Sequence, residues 1–578
     1  MKTIFAVAKQ TLLQCLRMKT ALGVLVLLAL TLIFMPNMVS GDGSLAGKIR
    51  SLISYGIGMS TLLLAIFTLL VTVSIVTEDI RNKTIILIVV KPISRWKYLL
   101  GRWLGIVLLD LILCALTFTG VYLGVLFLRD MTPENAQDRT AIETEIFTAR
   151  KILFPRMKDY RAATLRKIEK LKKESPQQYN KRLELFRNEH DWRKRTLEER
   201  LYQYYYNQIM NKNQVRDTGE SFRWIFDNLD LSNATITQDC ELFRQTKNQF
   251  VFTASNEILA KLRRSLPIYV NEVKVAVTNI GPTAFEVSFT KTQFDNPQIQ
   301  KVLAEKKAKI RVTPVCQLRY KPQIINQYDS NEGYIGAFKY GVIWGGYSDP
   351  KNPNSSDEKE SKPEIIFNAY DREEGIATIN SVSEINILPE YLGDKNSIFV
   401  QFYNLGSGYS SKAPDSAQDD FLTLRIPLSS VQLMVPVESF TSNYIKAVIL
   451  IFLQLAFLAT LGIFFSTFLS FPVSMIACSV FLLGGILFGS IEMSVYESDF
   501  ANQKNVFTAL SQISYSIIKF VMPDISAMTP SDKLANGILI SWSNIFSLGG
   551  INAVCRGLFY LLIGCGIFYK REISQVQV

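Results

Sequence analysis

Histidine is nearly absent from this chain, and cysteine is sparse and scattered. The 578 residues include one histidine, His190, and seven cysteines, none of them in a CxxC pair. Protein zinc sites need clustered Cys or His ligands. We therefore expect no metal site here, and His190, which lies in a charged stretch, is expected to be solvated.

The sequence also lacks the motifs that carry catalysis. The phosphate-binding pattern GxxxxGK[ST] does not occur. Its nearest approach, residues 41–49, has the wrong glycine spacing, and Ile49 stands where a magnesium-binding hydroxyl is needed. No nucleophile elbow, HExxH or dinucleotide fingerprint is present. We predict that the chain is not an enzyme, binds no cofactor and does not hydrolyse ATP by itself.

Charge is missing from three long stretches. Asp, Glu, Lys and Arg do not occur between Lys19 and Asp42, in residues 52–77 or in residues 447–491. A helix needs about 20 apolar residues to cross a bilayer. Such runs near both ends favour membrane spans over buried helices of a soluble protein. The predicted fold class is an α-helical polytopic membrane protein with about six spans, at residues 20–39, 52–77, 103–128, 447–468, 472–491 and 551–569.

Residues 1–19 have the pattern of an amphipathic interfacial helix. One side is apolar and carries Ile4, Phe5, Ala8, Leu12, Leu13, Cys15 and Leu16. The other side is mostly polar and carries Thr3, Gln10, Thr11, Gln14 and Arg17. The alternative is a plain N-terminal extension of the first span.

Residues 129–440 are charged and separate the spans into groups at 20–128 and 441–578. We expect an inserted α+β domain, helical in residues 129–265 and β-rich in residues 266–440. A helical hairpin broken at Ser175 and Pro176 is predicted in the first part. Period-two alternation, as at Val273, Val275 and Val277, predicts a sandwich-like second part.

Basic residues indicate the orientation, because cytoplasmic loops carry an excess of Lys and Arg. They precede the first span, fill residues 78–102 and follow the last span, whereas the loop after the first span has only Lys48 and Arg50. Both termini are therefore predicted to be cytoplasmic and the large domain extracytoplasmic, in a multi-pass protein of the cell (inner or plasma) membrane. The net charge of +12 then reflects basic flanks and a basic outer domain, not a nucleic-acid partner. Residues 494–548 are expected to be re-entrant or interfacial, with two further spans as the alternative.

Two charges fall inside predicted spans, Asp110 and Arg556. Intramembrane charges are costly and usually face a cavity or a partner. Asp110 is expected either to line a path or to make a structural hydrogen bond, whereas Arg556 is close enough to the interface to snorkel. Cys240 and Cys316, the two cysteines of the outer domain, are a candidate disulfide if that side is oxidising.

Residues 78–105, EDIRNKTIILIVVKPISRWKYLLGRWLG, hold the most informative pattern. An acidic–basic cluster precedes a short apolar helix that Thr84 can cap and Pro92 ends. Its apolar surface is too short to span a membrane and needs a partner or the bilayer surface. Resting in the headgroups, or continuing the third span, remains the alternative.

This segment resembles the cytoplasmic loop of type-2 ABC exporter permeases, although Lys83 stands where many members have Gly. The resemblance also includes a turn at residues 470–472 and a basic C-terminal ending at residues 568–573. It covers residues 1–128 and 441–578. In that family the loop holds a coupling helix that docks on a separate ATPase subunit. The resemblance implies that the ATPase-coupling contacts are Glu78, Arg81, Thr84, Lys91, Pro92, Ser94 and Arg95.

The resemblance implies a permease subunit that couples ATP hydrolysis in a cytoplasmic ABC ATPase to export of a substrate. ATP and magnesium would bind the partner subunit, and a second permease copy would complete a homodimer. One alternative is a mechanotransmission subunit whose outer domain acts on an extracytoplasmic protein. Another is an anchored binding or sensor domain without an ATPase.

Overall fold

The computed structural model divides the chain into two compact units. The first unit comprises Met1–Ala149 and Ser439–Val578, and the second comprises Arg150–Glu438. The structure describes residues 2–18, 23, 26–31, 34, 43–82, 94–131, 138, 141–156, 161–187, 196–217, 219–229, 236–245, 249–254, 268–271, 273–280, 284–288, 296–312, 315–326, 337–346, 371–387, 397–407, 423–496, 516, 521 and 524–570.

Long apolar helices build the first unit. Four of its described helices are long and apolar enough to cross a membrane: α2 (Leu45–Arg81), α3 (Arg95–Arg129), α8 (Phe440–Ser466) and α12 (Trp542–Lys570). A helix of 37 residues, such as α2, is about 55 Å long, which exceeds the hydrocarbon core. The helices of this unit are α1 Lys2–Arg17, α2 Leu45–Arg81, α3 Arg95–Arg129, α8 Phe440–Ser466, α9 Phe471–Tyr496, α10 Ile525–Met528, α11 Ser531–Ala535 and α12 Trp542–Lys570.

The predicted span count of six is reached only in part. The expected first span, residues 20–39, lies mostly outside the described residues. The expected second, third, fourth and sixth spans correspond to α2, α3, α8 and α12. The expected fifth span falls on α9, whose apolar described stretch, Phe471–Leu487, is shorter than the other four. The protein is thus a helical membrane protein with at least four helices of spanning length.

One hydrophobic cluster joins α2, α3 and α8. Small residues let these helices approach closely, as membrane helices do in the absence of a hydrophobic driving force between them. A Cβ placed at Gly462 of α8 would lie 2.8 Å from the Cβ of Thr72 in α2. Thr72 itself donates to the carbonyl of Thr68 one turn earlier, so its hydroxyl is satisfied within the helix.

Carboxylates organise the end of the bundle where α2 begins. Asp138 accepts hydrogen bonds from the amides of Leu45, at 2.7 Å, and Ala46, at 3.0 Å. These amides have no partner inside the helix, and the carboxylate also complements the positive end of the helix dipole. At the end of α3, Arg129 makes a two-pronged contact with the buried Glu143 at 2.9 and 3.0 Å.

The described part of the predicted re-entrant segment forms short helices that return the chain to α8. α10 and α11 have only four and five residues, so neither could cross a membrane. Asn443 in α8 donates to the carbonyl of Ile538 at 2.9 Å and accepts from the amide of Ile540 at 2.8 Å. The buried side chain of Asn443 thereby satisfies two backbone groups that lie outside regular helices and strands.

Strands dominate the second unit. They are β1 Thr148–Leu153, β2 Val215–Arg216, β3 Ser221–Phe226, β4 Ile236–Gln245, β5 Gln249–Thr253, β6 Ile268–Val270, β7 Val273–Ile280, β8 Ala284–Ser288, β9 Lys307–Val312, β10 Cys316–Tyr320, β11 Gln323–Asn326, β12 Ala337–Gly346, β13 Asp371–Thr378, β14 Ser383–Ile387, β15 Ile398–Ser407, β16 Thr423–Arg425 and β17 Gln432–Ser439. Strands begin at Thr148, so the predicted boundary at residue 266 falls inside the β-rich part.

These strands form a sandwich-like body and a barrel. Two four-stranded sheets, β1-β17-β10-β14 and β13-β12-β15-β3, share one hydrophobic cluster. A third sheet joins β11, β16 and β2. Six further strands close into a barrel in the order β4-β5-β8-β7-β6-β9, with its own apolar interior. The predicted alternation at Val273, Val275 and Val277 is confirmed as β7, which pairs with β8, whereas the closure of the barrel was not predicted.

Three helices replace the predicted helical hairpin. They are α4 Arg161–Glu174, α5 Pro176–Arg187 and α6 Leu197–Asn213, and the break at Ser175 is confirmed. Tyr179, Leu201 and Tyr205 form their small buried cluster. A further short helix, α7 Pro297–Glu305, precedes β9.

The predicted disulfide between Cys240 and Cys316 is not formed. Both are buried free cysteines. Cys240 belongs to the barrel interior and Cys316 to the interior shared by the two sheets, so each side chain packs in a different core. Burial raises the pKa of the Cys316 thiol to about 12, so it is protonated and unreactive at neutral pH.

The ion pair between Arg156 and Asp227 predicts a pH dependence of the second unit. Arg156 binds both carboxylate oxygens, at 2.6 and 2.8 Å, and lowers the pKa of Asp227, with a further contribution from Ser397. A lowered pKa contributes stability above the unfolded value of about 4, and this contribution is lost as pH falls through the folded value.

We therefore expect Arg156→Gln to lower the denaturant midpoint of the full chain at pH 7 and to lose this effect as the pH falls below the folded-state pKa of Asp227. The cost is about 1 kcal/mol or less, because both side chains are partly exposed. Lys170→Gln, at an exposed helical pair, serves as the control and should change neither midpoint. An Arg156→Gln deficit that stayed constant with pH would refute this assignment.

Candidate functional site

A buried ion pair joins the two helices that flank residues 83–93. α2 ends at Arg81 and α3 begins at Arg95. Arg102 in α3 forms a salt bridge with Asp79 in α2, and only 4% and 9% of the two side chains are exposed. The Tyr98 hydroxyl donates to the same carboxylate oxygen and accepts from Arg102 Nε at 3.2 Å. The ion pair thus joins the two helices at the ends of the predicted coupling loop, and we call this junction the base of the loop.

Arg102 also binds the N-terminal helix. Its Nη1 donates to Thr11 Oγ1 at 3.1 Å and to Gln14 Oε1 at 2.8 Å. The guanidinium therefore contacts three helices, α1, α2 and α3. We call the five side chains Thr11, Gln14, Asp79, Tyr98 and Arg102 the Arg102 cluster. The sequence placed Thr11 and Gln14 on the polar side of α1. The structure buries Thr11 and partly buries Gln14 against protein, whereas Thr3, Gln10 and Arg17 of the same side are exposed.

Two glycines provide the seat for α1. A Cβ at Gly101 would lie 2.7 Å from Val7 Cβ, and a Cβ at Gly105 would lie 2.6 Å from Thr11 Cβ. Side chains at these positions would prevent the close approach of α1 and α3. The spacing Gly-x-x-x-Gly is the pattern by which membrane helices bring their backbones together.

Arg95 binds the end of the last helix. Its Nη1 donates to the carbonyls of Phe568, at 3.0 Å, and Tyr569, at 2.8 Å. The last carbonyls of a helix have no partner of their own and carry the negative end of its dipole, so a guanidinium stabilises them. The rings of Tyr98 and Phe568 stack nearby, with centroids 6.3 Å apart. The base of the loop is therefore also tied to α12.

The predicted contact residues have different outcomes. Thr84, Lys91 and Pro92 lie outside the described residues. Glu78 is partly buried and accepts from Ser74 at 3.4 Å, while Arg81 is exposed at the end of α2. Of the remaining two, at the start of α3, the Ser94 hydroxyl is buried and does not cap α3, and Arg95 is half-buried and binds α12.

Asp110 in α3 links this helix to α2 through a hydrogen bond. It is fully buried and accepts from the Thr68 hydroxyl at 2.9 Å, which is the structural alternative that the sequence left open. Its second oxygen is buried and has no hydrogen-bond partner. Arg556, the other intramembrane charge, is partly exposed where α12 leaves its π-type turns, and the two charges are not brought together.

α3 also borders an apolar cavity. It lies between α3, α8 and α12 and has a volume of about 180 Å³. Trp103 contributes to its wall, and the indole Nε1 donates to Thr460 Oγ1 at 2.9 Å. The other lining side chains are aliphatic or aromatic, apart from Gly557, so the cavity fits an alkyl or aromatic group and offers it no charge.

Sequence reasoning missed the central residues of this site. Asp79 and Arg102 were read only as members of charged flanks, because a sequence does not show that the two ends of a loop meet. The signal that could have found them is the Gly101–Gly105 spacing around Arg102, which marks a helix contact. Among the described residues, no cluster of potential metal ligands occurs. Comparisons with protein families, curated proteins and solved structures found no match to this chain.

The buried ion pair predicts a strong asymmetry between single and double variants. Removing one partner leaves the other charge buried and unpaired, at a cost of about 3–5 kcal/mol. We expect Asp79→Asn or Arg102→Gln to lower the unfolding temperature in detergent markedly. The double variant Asp79→Leu with Arg102→Met should recover most of the loss. Equal losses in the single and double variants would contradict an ion-pair role.

Gly101 and Gly105, the glycine seat of α1, predict that one methyl group added at Gly105 releases α1. In Gly105→Ala the new Cβ meets Ala8 O at 2.7 Å, so α1 must move. We expect trypsin to cleave at Lys9 and Arg17 faster in this variant. Gly124→Ala on the same helix is the matched control, because its Cβ meets only Leu52 at 3.8 Å. Equal cleavage in the two variants would show that the seat does not hold α1.

Proposed function

We propose that this chain is the transmembrane permease subunit of an ATP-driven ABC exporter and works as one half of a homodimer. A separate cytoplasmic ATPase would grip residues 83–93, and its hydrolysis cycle would move the helices that export substrate. The observation that carries this proposal is the Arg102 cluster. It ties the base of the resembling loop to α1, α2 and α3, as a lever between an ATPase and the spans requires.

The contacts around the loop suit the transmission of force. A flexible loop would absorb a push from an ATPase, whereas a loop with a rigid base transfers it. Arg95 extends the rigid base to the last helix through two carbonyls. Trp103 extends it to α8 through Thr460. The apolar cavity lies between these same helices, so displacement of the loop would change its shape.

The second unit is compact by itself, and this favours one rival function. Residues 150–438 form a unit with hydrophobic cores of their own, as a domain that works on an extracytoplasmic protein would. In this reading the ATPase drives the outer domain and nothing crosses the membrane. Its two connections to the first unit are adjacent, because Phe440 N donates to Phe147 O at 3.3 Å. A short linker could therefore replace the whole domain.

Replacement of residues 150–438 by a short Gly/Ser linker separates the two functions. The exporter proposal predicts that the shortened protein still binds its ATPase and still changes its cavity during turnover, read by an environment-sensitive label at Val554 on the cavity wall. The rival predicts ATPase turnover with no change at that label. Loss of folding is detected independently by gel filtration.

Arg81 and Arg95, which differ in exposure and contacts, predict different effects on the ATPase. Arg81 is exposed beside the loop, so Arg81→Gln should weaken co-purification of the ATPase subunit. Arg95 is bound to α12, so Arg95→Gln should leave co-purification intact and reduce stimulation of ATP hydrolysis by the permease severalfold. Lys173→Gln, on exposed α4, is the control and should change neither. Normal stimulation in Arg95→Gln, or absence of any co-purifying ATPase, would refute the proposal.

A further inference from the structure

α1 has one face that is buried against protein. At 100° per residue, Ala8, Thr11 and Cys15 lie on one side of the helix, and all three are buried. Gln14 lies beside them and binds Arg102. This face is therefore used by the Arg102 cluster and the glycine seat, and it is not available for another partner.

The opposite face of α1 is exposed and has a composition suited to a lipid surface. Phe5, Leu13 and Leu16 are exposed by 62%, 45% and 54%. Lys2, Lys9 and Arg17 are also exposed, and the helix contains no acidic residue. A helix with exposed apolar and basic side chains lies in the membrane interface and is attracted to anionic headgroups.

The charge of this face argues against a second copy as its occupant. A two-fold axis would bring the same basic surface of two α1 helices together, and like charges would repel. Anionic lipid headgroups are complementary to Lys2, Lys9 and Arg17, while the bilayer accepts the exposed Phe and Leu side chains. The face therefore fits one occupant, an anionic lipid surface.

We propose that α1 makes the coupling loop responsive to anionic lipid. Headgroups that bind the exposed face hold α1 in its glycine seat, and the seated helix supplies Thr11 and Gln14 to Arg102. Loss of these two acceptors would leave Arg102 with Asp79 and Tyr98 alone, so the base of the loop would loosen. The second half of this inference rests on the proposed permease function, whereas the lipid-dependent seating of α1 does not.

Cys15 reports seating directly, because it is fully buried on the face that meets α3. The full chain is placed in nanodiscs of phosphatidylcholine alone or with phosphatidylglycerol, and maleimide labelling of each cysteine is followed by mass spectrometry. One basic residue near an anionic surface strengthens binding about fivefold. We expect Cys15 to be labelled at least about tenfold more slowly with the anionic lipid. Buried Cys478 serves as the internal control.

Charge variants decide whether the exposed face is responsible. The triple variant Lys2→Gln, Lys9→Gln, Arg17→Gln should remove the lipid effect on Cys15. The matched control Arg166→Gln, Lys170→Gln, Lys173→Gln, on exposed α4, removes the same charge and should retain it. Labelling of Cys15 that is equal in both lipids, or a lipid effect that survives the first variant, would overturn the proposal. Efficient crosslinking between two copies through Leu13→Cys would overturn it as well.

A second measurement tests the link to the loop. Thr11→Val with Gln14→Leu removes both α1 acceptors of Arg102 and keeps the exposed face intact. ATP hydrolysis by the complex should depend on phosphatidylglycerol in the parent protein and be independent of it in this variant. Lipid dependence that persists in the variant would refute the link. If no ATPase associates, the permease function fails, while the Cys15 measurement still decides the seating of α1.

Discussion

A charged pair sealed inside a helix bundle is the constraint on which the rest of this structure depends. A buried guanidinium and a buried carboxylate are tolerated only when both are paired and their remaining hydrogen-bonding groups are satisfied. Arg102 meets this requirement with Asp79, Tyr98, Thr11 and Gln14. Because these acceptors come from three helices, satisfying one side chain fixes the mutual positions of all three.

The surrounding packing follows from this requirement. Arg102 reaches α1 only because Gly101 and Gly105 allow that helix to lie against α3. The same end of α3 carries Arg95, whose bonds to the carbonyls of Phe568 and Tyr569 add α12 to the group. Residues 83–93 therefore start and finish on a base shared by four helices. Such a base explains physically how a short loop between α2 and α3 could move several helices together.

The sequence predicted features that depend on composition and period, and it failed where distant residues meet. Apolar runs located α2, α3, α8 and α12, and period-two alternation located β7. Closure of the barrel was not predictable, since it depends on the pairing of β4 with β9 across residues 236–312. Thr11 was assigned only to the polar side of α1, because hydropathy alone does not show that a polar side chain contacts a buried arginine. Arg95 was assigned to a partner for the same reason.

The central claim is that the ends of α1, α2, α3 and α12 form one cooperative body around Arg102. Native-state hydrogen exchange in nanodiscs tests this most directly, because cooperative units open with a common free energy. We expect amides at the four helix ends to share one opening free energy. Arg102→Gln should lower it at all four ends together and leave the opposite ends of α2 and α3 unchanged. Independent opening of the four ends, or a loss confined to α3 in the variant, would contradict it.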